Sequence, residues 1–242
     1  MPESDAIEFH TKIATDFDSK YACNQKFMER YTVWTRIIDK HSNSNFRVLD
    51  LGCGTGIFTF YLAERNGSVI GLDGSNEMIK ICQSKREHAG VHNVDFITCN
   101  ISSLANALNE KFDMIICSSV LEYLDDFHKS LNLISSYIKQ NGLFIFSMPN
   151  KLSLYRRIGP VAFKIIRRPK HYGYVRNIYT LKEIETMLKE FSLDVLESTY
   201  YAETPFLSTI LRNIGFSRYS DNLFIAVARL SSCGSRSVPT NA

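Results

Sequence analysis

Apolar residues recur in two rhythms along this chain, and their alternation predicts its architecture. Runs at 46–51, 68–73, 94–98, 112–117 and 142–148 are almost continuously apolar and of strand length. The segments between them carry apolar residues at three- and four-residue spacing, the period of a helix with one buried face. Buried strands separated by amphipathic helices predict an α/β fold, a doubly wound parallel sheet covered on both faces. Two more strand-like runs, about 193–201 and 222–230, are expected to complete a seven-stranded sheet.

Capping signals set the helix limits. Ser75 precedes a helix that places Met78, Ile79 and Cys82 on one face, and Thr180-Leu181-Lys182-Glu183 has the form of a capping box. Asp125 is expected to cap a helix running through Leu131, Leu133 and Ile134 as far as Asn141-Gly142. Residues 1–45 read as a helical cover, with Ile13, Phe17 and Tyr21 at four-residue spacing and Phe27, Tyr31, Trp34, Ile37 and Ile38 further on. The main domain is then 46–230. The small and polar residues of 231–242 predict a disordered tail.

Composition narrows the classes of function. With 242 residues, 45% of them hydrophobic, the chain builds one sizeable core. A net charge of +3 is too small to mark a nucleic-acid binder. The six cysteines, at 23, 53, 82, 99, 117 and 233, lack the paired short spacing of zinc sites and are expected to be reduced thiols in a cytoplasmic protein. The acidic start, Glu3 and Asp5, is unlike a signal peptide, and no apolar run reaches bilayer length. Charge is nevertheless concentrated: 151–176 holds eight Lys or Arg and no acidic residue. Pro160 divides this stretch into two short helices, the second with Val161, Ala162, Ile165 and Ile166 opposite Lys164, Arg167 and Arg168. The insertion 151–178 thus reads either as a solvated basic lid or as a face for peripheral contact with an anionic membrane or a phosphate-bearing substrate.

The chemistry concentrates at Val48-Leu49-Asp50-Leu51-Gly52-Cys53-Gly54-Thr55-Gly56, a strand running into a glycine loop. Glycines at alternate positions allow a tight turn and close approach of a ligand, and the helix starting near Ile57 is expected to aim N–H donors at it. Asp50 suits a cationic ammonium, not a pyrophosphate, and the third glycine of the dinucleotide fingerprint is replaced by Ile57. Twenty-one residues after Gly52, Asp73 ends the second strand, where an acceptor binds ribose hydroxyls. The loop therefore suits an adenosine bearing an amino acid.

Over residues 46–148 the chain resembles the class I S-adenosylmethionine-dependent methyltransferases. The first motif is matched by Asp50, Gly52, Cys53, Gly54 and Gly56, and the ribose-binding strand end by Asp73, Gly74, Ser75 and Met78. By the same resemblance Asn100, with Ile101 next to it, stands where an Asp accepts from the adenine amino group, and its amide oxygen accepts equally. Ser118, Ser119 and Leu121 match the loop that flanks the cofactor and faces the acceptor, and Tyr21 matches a tyrosine that reaches the cofactor carboxylate, or else packs with Phe17 on a helix face. The resemblance implies a Rossmann-like sheet of order 3-2-1-4-5-7-6 with an antiparallel last strand. It also implies S-adenosylmethionine as methyl donor and S-adenosylhomocysteine as product.

Within the family, the likeness is nearest to the small-molecule O-methyltransferases of quinone, sugar and natural-product pathways. A hydroxyl acceptor benefits from a base, and relatives often carry a histidine just after the fourth strand, where this chain has Tyr123. Glu122, Tyr123, His128 and His171 are the alternatives, each with a plain structural reading beside it: Glu122 and His128 as helix-surface residues, Tyr123 as a core ring, His171 as a solvated loop residue. Asp125 and Asp126 suit a helix N-terminus better than a metal, and no metal is expected. The competing functions are N-methylation of a small amine or nucleic acid, and a silent cofactor-binding module. The loop Ser118-Ser119-Val120-Leu121 lacks the Asn/Asp-Pro-Pro-aromatic signature of amide and base N-methyltransferases.

Overall fold

A computed structural model describes residues 3–12, 14–154, 174–202, 213 and 216–231. Its helices are α1 (Glu3–Lys12), α2 (Ala14–Phe17), α3 (Ser19–Cys23), α4 (Gln25–His41), α5 (Ile57–Ala63), α6 (Asn76–Ala89), α7 (Leu104–Ala107), α8 (Phe127–Ser136), α9 (Leu181–Glu190) and α10 (Ser217–Ser220). The strands are β1 (Arg47–Leu51), β2 (Ser68–Asp73), β3 (Val94–Thr98), β4 (Phe112–Cys117), β5 (Ile138–Pro149), β6 (Leu193–Tyr201) and β7 (Leu223–Leu230).

The seven strands form one sheet in the order β3-β2-β1-β4-β5-β7-β6. The first five are mutually parallel, and β7 runs antiparallel to both of its neighbours. Side chains alternate across the pleat, so two cores form. Leu49, Leu51, Ile115, Phe144 and Phe146 pack into one with α8 and α9, and Val48, Met114, Ile116 and Ile145 pack into the other with Trp34, Ile38 and Leu62. Asp50 lies between Val48 and the loop, on the strand whose neighbours β2 and β4 diverge in sequence order. Such a switch point leaves a crevice beyond the strand ends.

Caps close where the sequence places them. Ser75 Oγ accepts from Met78 N at 3.4 Å, and the Thr180–Glu183 capping box is formed in both directions, at 2.7 and 3.1 Å. Two boundaries differ from expectation. The helix after Asp125 is capped by Asp126, which accepts from Lys129 N at 3.0 Å, and it stops at Ser136 instead of reaching Gly142. Tyr137 closes its last turn on Ile134, and the Tyr137 carbonyl is taken by Phe112 N, so the chain has already entered the sheet at Ile138. Asp125 instead pairs with Arg176.

The amino-terminal cover consists of three short helices, α1 to α3, followed by the 17-residue α4. Asp18 interrupts it between α2 and α3, and its carboxylate accepts from Thr55 on the glycine loop and pairs with Lys85 on α6. Ile13 lies outside the described residues, as do His171, most of the basic insertion (155–173) and residues 232–242 of the tail. Among the described residues, no helix is long and apolar enough to cross a membrane.

Candidate active site

A cavity of about 1040 Å³ opens at the switch point, at the upper end of the range for ligand pockets. Its floor is the glycine loop. Gly52, Gly54 and Gly56 all take positive φ, +70°, +56° and +82°. At Gly52 space is also decisive, because a Cβ there would stand 2.1 Å from Val120 Cγ2. Four amides of this loop are already engaged within the protein. Gly52 N and Cys53 N donate to Leu72 O at 2.7 and 3.0 Å, Gly56 N donates to Cys53 O at 3.0 Å, and Gly54 N donates to Asp73 Oδ2 at 2.9 Å. The loop contributes room and a fixed carboxylate.

Asp73 is held from both sides, since its Oδ1 accepts from Ser75 N at 2.8 Å. Burial raises its pKa and the two amides pull the other way, leaving it above the ordinary carboxylate value. Each oxygen keeps a lone pair for a further donor. Asp50, 2% exposed, accepts from Thr59 Oγ1 at 2.6 Å. Burial pushes its pKa to about 7, against the Thr59 bond and with the charge of Asp73 adding to the rise.

Most residues singled out in the sequence converge here. Tyr21, Asp50, Gly52, Cys53, Gly54, Asp73 and Met78 line the cavity, together with Ser118, Ser119, Glu122 and Tyr123 from the loop after β4. Six others, Gly56, Gly74, Ser75, Asn100, Ile101 and Leu121, are not among the residues lining the cavity. Gly56 begins α5, and a Cβ on Gly74 would meet Asn100 Oδ1 and Ile7 Cδ1, each at 2.7 Å. Ser75 Oγ accepts from Thr11 Oγ1 at 2.8 Å, and Ile101 is buried in the core, as is Leu121. His128 is brought elsewhere: it pairs with Glu190 at 2.9 Å, its ring rests on Phe191, and it is not among the residues lining the cavity.

The structure adds residues that pattern reading passed over. Arg30 projects from α4 and donates through Nη2 to the Ser118 carbonyl at 3.0 Å and hydroxyl at 2.8 Å. Burial lowers its pKa, but Tyr21, Tyr201, Glu122 and Tyr123 surround it and leave it raised. Arg30 Nε and the Tyr21 hydroxyl are both shut off from solvent without a hydrogen-bond partner, on two residues that line the cavity. The signal was there: Arg30 falls at helical spacing in the stripe Phe27, Tyr31, Trp34, where an apolar residue belongs. Ser119, at φ 59°, occupies a conformation that non-glycine residues seldom take, held by its N–H donating to Ser147 Oγ at 2.9 Å.

A glycine loop leaving the central strand, an acid ending the next and a cavity at the switch point define a class I methyltransferase fold. Residues 42–193 match the methyltransferase domain family, and the chain belongs to it, within the class I S-adenosylmethionine-dependent group. Similar proteins include the mitochondrial ubiquinone biosynthesis O-methyltransferase of Bos taurus, 27% identical over 156 residues, which are 63% of this chain and 42% of the relative. The ubiquinone biosynthesis O-methyltransferase of Paracidovorax citrulli is 25% identical over 154 residues, 63% of this chain and 65% of the relative. The match thus spans about half the length of these relatives. Among solved structures, magnesium protoporphyrin IX methyltransferase from Synechocystis PCC 6803, with bound SAH, superposes with a TM-score of 0.69 at 16% identity, covering 95% of this chain and 99% of that one. An N-methyltransferase from Bradyrhizobium japonicum WM9, also with SAH, gives 0.63 at 18% identity, covering 88% and 91%.

Proposed function

We propose that this protein transfers a methyl group from S-adenosylmethionine to a hydroxyl of a small-molecule or lipid-linked acceptor, quinone-like or sugar-like. The observation that carries the reading is the convergence on one cavity of a fixed Asp73 carboxylate with Tyr21 and Arg30, whose hydroxyl and Nε are left without a hydrogen-bond partner. An adenosine bearing an amino acid has ribose hydroxyls for the first and a carboxylate for the second. Asp50 provides the negative charge that suits its ammonium and sulfonium. When bound, the donor supplies an activated methyl whose leaving group departs neutral. The protein's share is then mostly alignment, worth roughly 7 to 11 kcal/mol.

The names of the relatives favour an oxygen acceptor. The aromatic and aliphatic side chains of Phe9, Tyr123, Leu124 and Val175 are among those lining the cavity and suit a planar, apolar acceptor. The basic run 151–176 supports the lipid-linked version, through contact with an anionic membrane surface. Incubation with methyl-labelled S-adenosylmethionine and fractionated cell extract, followed by mass spectrometry, tests the reading. A labelled O-methyl product supports it; an N-methyl product, or none, defeats it. Flotation with liposomes tests the membrane contact, which fails if binding is indifferent to anionic lipid.

A further inference from the structure

The base that a hydroxyl acceptor calls for comes from an unexpected quarter. Among the described residues lining the cavity, His10 is the only histidine, and it belongs to α1 at the far amino-terminal end of the chain. Its ring meets Tyr123 edge-on, with centroids 5.5 Å apart and planes at 66°. Phe9, next to it, rests on Tyr174 at 5.2 Å, so this turn of α1 is held across the wall that faces the acceptor. The loop after β4 itself carries no histidine, and an imidazole is presented against its Tyr123 from another element.

The other titratable groups of the cavity are less suited to the task. Asp50 and Asp73 are engaged by Thr59, Gly54 and Ser75, Arg30 is bound to Ser118, and Glu122 is only 4% exposed. An imidazole is the side chain whose ordinary pKa lies near neutrality.

We propose that His10 is the general base of this enzyme, positioned by Tyr123. The proposal rests on the methyl-transfer reading above. As the acceptor oxygen forms its bond to the methyl carbon, the carbon–sulfur bond breaks and its electron pair leaves with the sulfur. The hydroxyl proton passes to the His10 imidazole and from there to solvent. Among the described residues, the charged and titratable groups around His10 include Glu8 and Lys12, ion-paired on its own helix at 2.6 Å, Tyr174 against Phe9, and Tyr123 against its own ring.

The test is a proton NMR titration of the histidines in complexes with S-adenosylmethionine and S-adenosylhomocysteine, with His10→Gln used to assign the His10 resonance. A sulfonium near the imidazole disfavours its protonation, so the His10 midpoint is expected lower with the sulfonium ligand than with its neutral product, by about half a pH unit or more. Equal midpoints place His10 away from the methyl group and overturn the proposal while leaving the methyl-transfer reading intact. Failure of both ligands to bind defeats that reading itself. With the acceptor recovered by labelling, His10→Gln is expected to lower kcat about a hundredfold with KM little changed, and to remove the acidic limb of the pH profile. An unchanged profile overturns the assignment.

Discussion

Arg30 reaches from α4 across the cavity to Ser118, bonding both its carbonyl, at 3.0 Å, and its hydroxyl, at 2.8 Å. These residues are 88 positions apart, and the contact ties the helical cover to the loop after β4 while leaving Nε for a ligand. Replacing Arg30 by Met removes both functions. The expected result is a 10- to 100-fold loss of S-adenosylmethionine affinity by calorimetry, in line with about 1.5–3 kcal/mol for a charged hydrogen bond. Arg30→Lys is expected to recover only part of it, because an ammonium lacks the planar fork that serves Ser118 and a ligand together.

Asp73 accepts from two backbone amides in the absence of ligand and has capacity for ribose hydroxyls. Asp73→Ala is expected to weaken cofactor binding by about 1.5–3 kcal/mol. Unchanged affinity by calorimetry would remove it from the binding site.

The raised pKa of Asp50, about 7, gives stability a definite pH dependence. An unfolded Asp titrates near 3.9, so between that value and about 7 the folded state holds a proton that the unfolded state has lost. Stability of the ligand-free protein therefore falls as pH rises through this window and levels off above it. A cationic ligand favours the carboxylate and reverses the trend for binding. S-adenosylmethionine is expected to bind more tightly as pH rises from 6 to 8 and to release a proton below about pH 7. Calorimetry in buffers of different ionisation heat measures that proton, and Asp50→Asn is expected to abolish it.

At Gly52 a methyl group would meet both a positive φ and the stiff Val120 side chain. Gly52→Ala is expected to abolish detectable cofactor binding and to cost about 1–3 kcal/mol of stability by denaturant titration. Adding Val120→Ala relieves the clash but not the backbone strain, so the double variant is expected to recover only partially.

The sequence by itself determined the sheet-and-helix alternation, the capping box at Thr180 and the glycine loop with Asp50 and Asp73. Each is specified by residues close together in the chain: strand and helix periods repeat within a few residues, and a cap or a tight turn needs only its own side chains. The end of the helix before β5 was not legible in this way, because it is set by Phe112 reaching from β4 to the Tyr137 carbonyl. Only the tertiary structure decided which polar groups share the cavity. It spent the loop amides on Leu72 and Asp73, sent His128 to Glu190, and drew Arg30 to Ser118 and His10 to Tyr123. The contacts of Arg30 with Ser118 and of His10 with Tyr123 join segments far apart in the chain near the switch point, where the strand order reverses and leaves a crevice beyond the strand ends.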